Sequence, residues 1–302
     1  MTTRMHALQR CAAGLGVVLA MAAASSSVVA QRGSGDVAGA TRPTPRASAP
    51  VDLTGTWVAI VTEDWRWRMV TPPKGDVAGV PVNAEGRKVA QSWDLAADTA
   101  AGNQCKAFGV GGIMRQPGRL RVSWQDDQTL KLEFDAGTQT RLLSFDRSRG
   151  AGAGAENTWQ GVSIAEWETP PAAGRLGGAG PGPTIAGVPG GGGIGLRGAP
   201  PPRGVASINS GGNLKVITTG FREGYLRKNG VPYSDAATIT EYVHRLPPHP
   251  NGDHWLQVVT IIEDAKYLTQ PFYTSTNFRL EANDARFTPA PCRTDAPIPI
   301  KK

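Results

Sequence analysis

The chain has 302 residues, 40% of them hydrophobic, and a formal net charge of +7. Loss of residues 1–30 would remove Arg4 and Arg10 and leave +5, with the remaining charges interspersed as at Arg119, Arg121, Asp126, Asp127, Lys131 and Glu133. That pattern excludes the one-signed stripe of a nucleic-acid surface, so no nucleic-acid partner is expected.

Residues 1–30 read as a secretory signal. Arg4 and Arg10 precede an apolar run from Cys11 to Ala24, and Val28-Val29-Ala30 supplies a small-residue cleavage site before Gln31. The run is short for a membrane-spanning helix; an uncleaved anchor is the competing reading. No later stretch is apolar enough to span, so a secreted or periplasmic location is predicted, with no integral membrane segment after cleavage. Residues 31–50 are rich in Gly, Ala, Ser, Thr, Pro and Arg and read as a disordered leader. One domain is predicted over 51–302.

Gly55–Met69 has the first strand-like period. Alternation puts Trp57, Ala59, Val61, Trp65, Trp67 and Met69 on one face. Three indoles of about 150–250 Å² each place this strand at the centre of a barrel or sandwich. Arg66 and Arg68 interleave with them, as cation–π packing or as a patch for an anionic or aromatic ligand.

Thr71–Asp76 reads as a turn. Asn83 to Trp93 is the one predicted helix, with Asn83 as its cap and Val89 and Trp93 on one face. Residues 94–112 read as a loop carrying Cys105. From Arg119 a meander follows: Leu120, Val122 and Trp124 alternate with polar residues, Asp126-Asp127-Gln128 turns the chain, Leu130, Leu132 and Phe134 alternate again, and Thr138–Phe145 returns. Trp159–Glu168 is a strand whose face holds Trp159, Gly161, Ser163, Ala165 and Trp167, which either packs against the opening strand or lines a hollow.

Pro170–Arg203 has twelve Gly and eight Pro in 34 residues. It reads as a disordered insertion in a hairpin loop. Gly190–Gly193 lacks the Lys, strand and helix of a phosphate-binding loop. Leu214–Phe221, Ala237–Leu246, His254–Glu263 and Phe272–Leu280 are further strands, with 222–236 a long connection holding Tyr225, Arg227, Lys228 and Tyr233. The predicted fold is all-β: an antiparallel meander closing into a barrel of about nine strands with one short helix. Cys105 and Cys292 are the two cysteines left after signal removal, and an oxidising compartment favours a disulfide between them.

Motifs for chemistry are weak. Gly161-Val162-Ser163-Ile164-Ala165 has the serine mid-strand, not at a strand-to-helix elbow. His244, His249 and His254 sit around a Pro-stiffened loop and are read as solvated rather than metal-binding. Glu241 shares a face with Ile239 and Val243; pairing with Arg66, Arg68 or Arg141 is favoured over an acid–base role. No cofactor and no metal is implied.

Several blocks taken together resemble a large set of secreted bacterial proteins of unknown function. Trp159, Gly161, Ser163, Ile164, Trp167 and Glu168 match a W-x-G-x-S-I-x-x-W-E block. Leu214, Val216, Thr218, Thr219, Gly220 and Phe221 match its L-x-V-x-T-T-G-F, and Gly230, Pro232, Ser234 and Asp235 match a G-x-P-x-S-[DE] turn. Thr240-Glu241, Glu263-Asp264 and Pro271 match later segments, with Ala265 where that set carries Pro, and Cys105 and Cys292 fall at its two cysteine positions. The Pro170–Arg203 insertion departs from it, and the resemblance implies no catalytic residues. Gly55-Thr56-Trp57 also resembles the G-x-W of lipocalins and other calycins, which implies an eight-stranded barrel with an apolar ligand cavity.

The resulting expectation is a protein that binds a small apolar or aromatic molecule in a Trp-lined barrel. Trp57, Trp65, Trp67, Trp159 and Trp167 would form the wall, with Ser163 on it and Arg66 and Arg68 as a polar anchor. The alternatives are a barrel isomerase, cyclase or hydratase using Glu241 or Asp235, and an envelope interaction module without a cavity.

Overall fold

Alternating sequences joined by short turns form antiparallel strands, and such strands are stable only if their outer edges are paired or covered. A computed structural model describes residues 43–149, 157–168 and 213–299, which belong to one compact unit beginning at Pro43. The expected signal at 1–30 and the insertion at 170–203 lie outside the described residues. The strands are β1 Gly55–Ile60, β2 Arg119–Trp124, β3 Thr129–Phe134, β4 Ala136–Gly137, β5 Gln139–Ser144, β6 Val162–Glu168, β7 Asn213–Thr219, β8 Gly224–Arg227, β9 Val231–Tyr233, β10 Thr238–Arg245, β11 Trp255–Glu263, β12 Phe272–Leu280 and β13 Ala290–Pro291. Nine of them close into a barrel in the order β1-β12-β11-β10-β7-β6-β5-β3-β2.

Nine strands cannot alternate in direction around a closed ring, so one neighbouring pair must be parallel. That pair is β5–β6, joined at only Leu143↔Ser163 and Ser144↔Ile164, and the other eight pairings are antiparallel. The expected all-antiparallel meander is therefore corrected at this seam; the predicted hairpins of 119–145 are present as β2, β3 and β5.

The region between the strands is more helical than predicted. Helix α1 spans Trp65–Arg68, α2 Ala84–Ser92 and α3 Leu95–Ala100, and 3-10 turns occupy Lys106–Phe108 and Ile113–Arg115. Asn83 caps α2 as expected, accepting a hydrogen bond from Gly86 N at 2.9 Å. The buried side of α2 holds Gly86 and Ala90 rather than Val89. A Cβ on Gly86 would stand 2.6 Å from the Tyr267 carbonyl oxygen, so the close approach of the chains requires glycine there. Asp94 caps α3 through the N–H groups of Ala96 and Ala97. The expected leader also shortens: Arg46 N donates to Asp127 O at 3.3 Å, and Trp167 Nε1 donates to Pro45 O at 2.9 Å.

The lumen is filled. Its larger apolar cluster includes Trp57, Leu120, Val122, Leu130, Leu132, Leu143, Leu214, Val216, Leu256, Val258 and Phe278, and a second cluster, including Val231, Tyr233, Ile239 and Ile262, caps the end where β8 and β9 form a hairpin. Between them the buried side chains are polar: Arg141, Ser163, Thr218, Glu241, Thr260 and Thr276. Arg141 Nη1 and Nη2 donate to Glu241 Oε1 and Oε2 at 3.1 and 2.6 Å. Nη2 also lies 3.3 Å from Thr218 Oγ1 and 3.4 Å from Ser163 Oγ, and those two hydroxyls are 2.8 Å apart. A void of about 10 Å³, walled by Leu120, Leu132, Leu143, Leu214 and Val258 among others, has room for about one water.

Cys105 and Cys292 form a disulfide across a sequence separation of 187 residues. It ties the C-terminal strand β13, which pairs with β4, to the segment leading into β2. Reduction should lower the free energy of unfolding by at most about 5 kcal/mol on chain entropy, read as a fall in the denaturant midpoint with a thiol reductant present. Glu241→Ala should cost about 3–5 kcal/mol by leaving Arg141 buried and unpaired, whereas Arg141→Met with Glu241→Leu should recover most of that loss; urea unfolding of the three proteins checks both statements.

Candidate functional site

The predicted strand Gly55–Met69 ends at Ile60. Its register with β2 ends at Val58↔Arg119 and with β12 at Ile60↔Asn277, so beyond Ile60 no register pair holds the chain extended, and unpaired backbone groups favour a turn. Asp64 takes a left-handed conformation (φ 54°), which Asp tolerates better than most residues, and α1 follows it. The helical period then replaces the strand period. Trp65 is thrown outward, 64% exposed, with Met69 also exposed, while Arg68 turns inward. The indoles therefore do not share a face. Trp57 is buried in β1 with Nε1 donating to Leu53 O at 3.0 Å. Trp167 joins Trp124 and Phe145 in an aromatic cluster with ring centroids 5.5–6.5 Å apart, and Trp159 precedes β6, with the Arg222 guanidinium 4.0 Å from its ring centroid. Ser163 belongs to the buried polar layer. Of the residues expected to bind a ligand, Trp67 and Arg68 line a common pocket.

That pocket lies at the barrel end where β1 leaves and β2 enters. Its walls are Trp67 and Arg68 from α1, Arg115 and Gln116 at the 3-10 turn before β2, and Leu226, Arg227 and Lys228 at the end of β8. Asn229, fully buried, fixes the β8–β9 turn against the preceding loop by donating through Nδ2 to Pro73 O at 2.8 Å and Asp76 O at 2.9 Å. Asp76 in turn accepts from Trp67 Nε1 at 3.1 Å. The Arg227 and Arg66 guanidiniums stand 4.6 and 4.8 Å from the Trp67 ring centroid, both within cation–π reach.

Three arginines are withdrawn from solvent here, Arg68 at 3%, Arg227 at 6% and Arg115 at 9% exposure. Arg68 Nη1 donates to Glu63 Oε1 at 2.6 Å and its Nε to Arg115 O at 3.0 Å. Arg115 Nη2 donates to Asp64 Oδ2 at 2.6 Å. Each guanidinium keeps a buried nitrogen with no hydrogen-bond partner among the described residues: Arg68 Nη2, Arg115 Nη1 and Arg227 Nη1. Burial, then the neighbouring charge of Arg115, lowers both Arg68 and Arg227 to about 10. Burial likewise lowers Lys228, with Asp295 acting in the opposite sense. Arg68 and Arg227 remain cationic at neutral pH. Their lowered values express how poorly the interior solvates the charges, and an unsatisfied buried donor costs about 1–3 kcal/mol.

The other candidates fall elsewhere. Glu241 is held by Arg141 inside the barrel, which is the pairing expected for it. Asp235 is exposed at a turn. His244 Nδ1 lies 2.6 Å from Asn213 Oδ1 and His249 Nδ1 2.7 Å from Asn251 Oδ1. Among the described residues no group of three or more His, Cys, Asp or Glu is placed to hold a metal ion, and no helix is long and apolar enough to cross a membrane. Arg115 had no signal of periodicity; its only mark in sequence is a cation ending the apolar run Val110–Met114. Arg227 and Lys228 stood out as basic residues in a connection with Tyr225 and Tyr233. Comparison with protein-family models, curated proteins and solved structures finds no match to this chain.

Asp64→Asn keeps a residue that tolerates the left-handed backbone but removes the charge facing Arg115. It should lower stability by only about 1 kcal/mol, because the carboxylate is partly solvated, and a thermal melt compared with Asp64→Ala separates the lost charge from backbone strain.

Proposed function

We propose that this is an extracytoplasmic binding protein whose ligand site is the barrel-end pocket of Trp67, Arg68, Arg115 and Arg227 rather than the lumen. The observation that carries the reading is the set of three buried guanidinium nitrogens without partners around one opening. Buried polar groups are ordinarily satisfied, and donors left open beside an indole are the usual makings of a ligand anchor. The filled lumen argues against a ligand held between the strands, and so against the wide cavity that a lipocalin-like barrel would imply. A small, partly apolar or aromatic molecule with a polar end suits the pocket: the polar end meets the guanidiniums, and the remainder lies at the mouth towards α1.

The Cys105–Cys292 disulfide supports an oxidising compartment. The signal-like residues 1–30, and the resemblance to secreted bacterial proteins, support export to the periplasm or beyond. Culture fractionation of the native gene product tests this; recovery of the full-length chain with reduced thiols in the cytosol contradicts it.

Binding should be visible in tryptophan emission. Trp67 carries two guanidiniums against its ring, so a ligand that rearranges Arg227 alters its quenching. Titration with a panel of small aromatic and anionic molecules should give a saturable change in the wild type that Trp67→Phe removes and Trp65→Phe leaves intact. A saturable change that survives Trp67→Phe places the ligand elsewhere.

A further inference from the structure

The donor pattern of the pocket carries a narrower statement about what it takes. We infer that the polar end of the ligand is a tetrahedral oxyanion, phosphate-like or sulfate-like, an inference that rests on reading the pocket as a binding site. Two of the three arginines have already used one side of the guanidinium fork. Arg68 spends Nε and Nη1 on the Arg115 carbonyl and on Glu63, and Arg115 spends Nη2 on Asp64. Each has thereby lost part of the fork that a carboxylate grips through two parallel N–H bonds, while no hydrogen bond among the described residues engages Arg227 Nη1. Buried nitrogens without a partner come from three separate segments: Arg68 Nη2 from α1, Arg115 Nη1 from the 3-10 turn and Arg227 Nη1 from the end of β8. Donors from three separate segments suit an anion with more acceptor oxygens than the two of a carboxylate.

Charge agrees with this. Arg68, Arg115, Arg227 and Lys228 line the pocket, Arg66 stands beside Trp67, and Glu63, Asp64 and Asp76 are the carboxylates engaged with them, with Asp295 near Lys228. The carboxylates hold the arginines in place without closing off their free nitrogens. The free volume is about 10 Å³, one water-sized space. One oxygen of the anion takes that place, and its other oxygens meet guanidinium N–H groups at the mouth. An anion there offsets the burial and the charge crowding that lower Arg68 and Arg227, whereas a neutral ligand does not. The same chemistry serves a free ion and the ester group of a larger molecule, and these two sources are separable.

The test is a titration of the full disulfide-bonded protein, followed by Trp67 emission and by calorimetry at constant ionic strength, so that screening does not change between additions. The probes are inorganic phosphate, sulfate, phenyl phosphate, acetate and uncharged phenol. Phosphate and sulfate are expected to saturate with affinities at least about tenfold tighter than acetate, the difference that about 1.4 kcal/mol of extra contact gives. Phenyl phosphate binding tighter than phosphate identifies an ester as the source; equal affinities identify the free ion. Arg227→Met, which keeps the stem against Trp67, should weaken phosphate at least about tenfold, and Lys228→Met serves as the second variant if the first does not fold. Acetate binding as tightly as phosphate overturns the tetrahedral assignment. Phenol giving the full Trp67 response, unchanged in Arg227→Met, overturns the oxyanion but leaves the binding reading standing. No Trp67 response to any small molecule overturns both.

Discussion

Arg141 and Glu241 are a hundred residues apart in sequence and meet inside the barrel through two hydrogen bonds. Two opposite charges withdrawn from water hold their place only if each is matched, and here Ser163 and Thr218 add to the pairing while Arg141 Nε has no partner among the described residues. The pair joins β5 to β10 across strands that are not neighbours, and it lies across the seam where β5 and β6 share two register pairs. A barrel of nine strands must contain one parallel junction. The short ladder there is backed by side chains reaching through the lumen rather than by more backbone bonds. The apolar clusters on either side of this polar layer then occupy the interior, leaving about one water of space.

A solid barrel moves any recognition to its ends. The strands hold the ends rigidly, and the connections that cross one end, α1, the turn before β2 and the β8–β9 hairpin, are free to carry charge. Each contributes an arginine to one pocket. The arrangement costs solvation, since burial and mutual repulsion lower Arg68 and Arg227 to about 10. Glu63 and Asp64 offset part of that cost, and the uncompensated nitrogens are where an anion gains most. The disulfide bears on the same feature indirectly, because Cys105 anchors the segment that runs through Arg115 into β2.

Much of the barrel was legible because its strands obey a period of two and its turns carry Asp, Gly and Pro. Leu120, Val122, Leu130 and Leu132 face the core as their alternation requires, and Asn83 caps a helix as its position suggests. Trp65 and Trp67 misled for a definite reason. Alternation over Gly55–Met69 is equally compatible with a strand that stops at Ile60 and a helical turn that starts after Asp64, and only the positions of β2 and β12 decide where pairing ends. The pocket was half legible: Trp67 and Arg68 were marked by their crowding, but Arg115 and Arg227 lie 47 and 159 positions beyond Arg68, and nothing local points them to the same opening.

By itself the amino-acid sequence determined an all-β chain, the positions of most strands, the partner cysteines and an arginine as the mate of Glu241, because these follow from local periodicity, turn chemistry and the cost of an unpaired buried charge. The tertiary structure decided the closure at nine strands with its one parallel junction, the filling of the lumen and the convergence of three arginines at the barrel end. Those depend on which distant segments become neighbours, and a one-dimensional pattern does not carry that information.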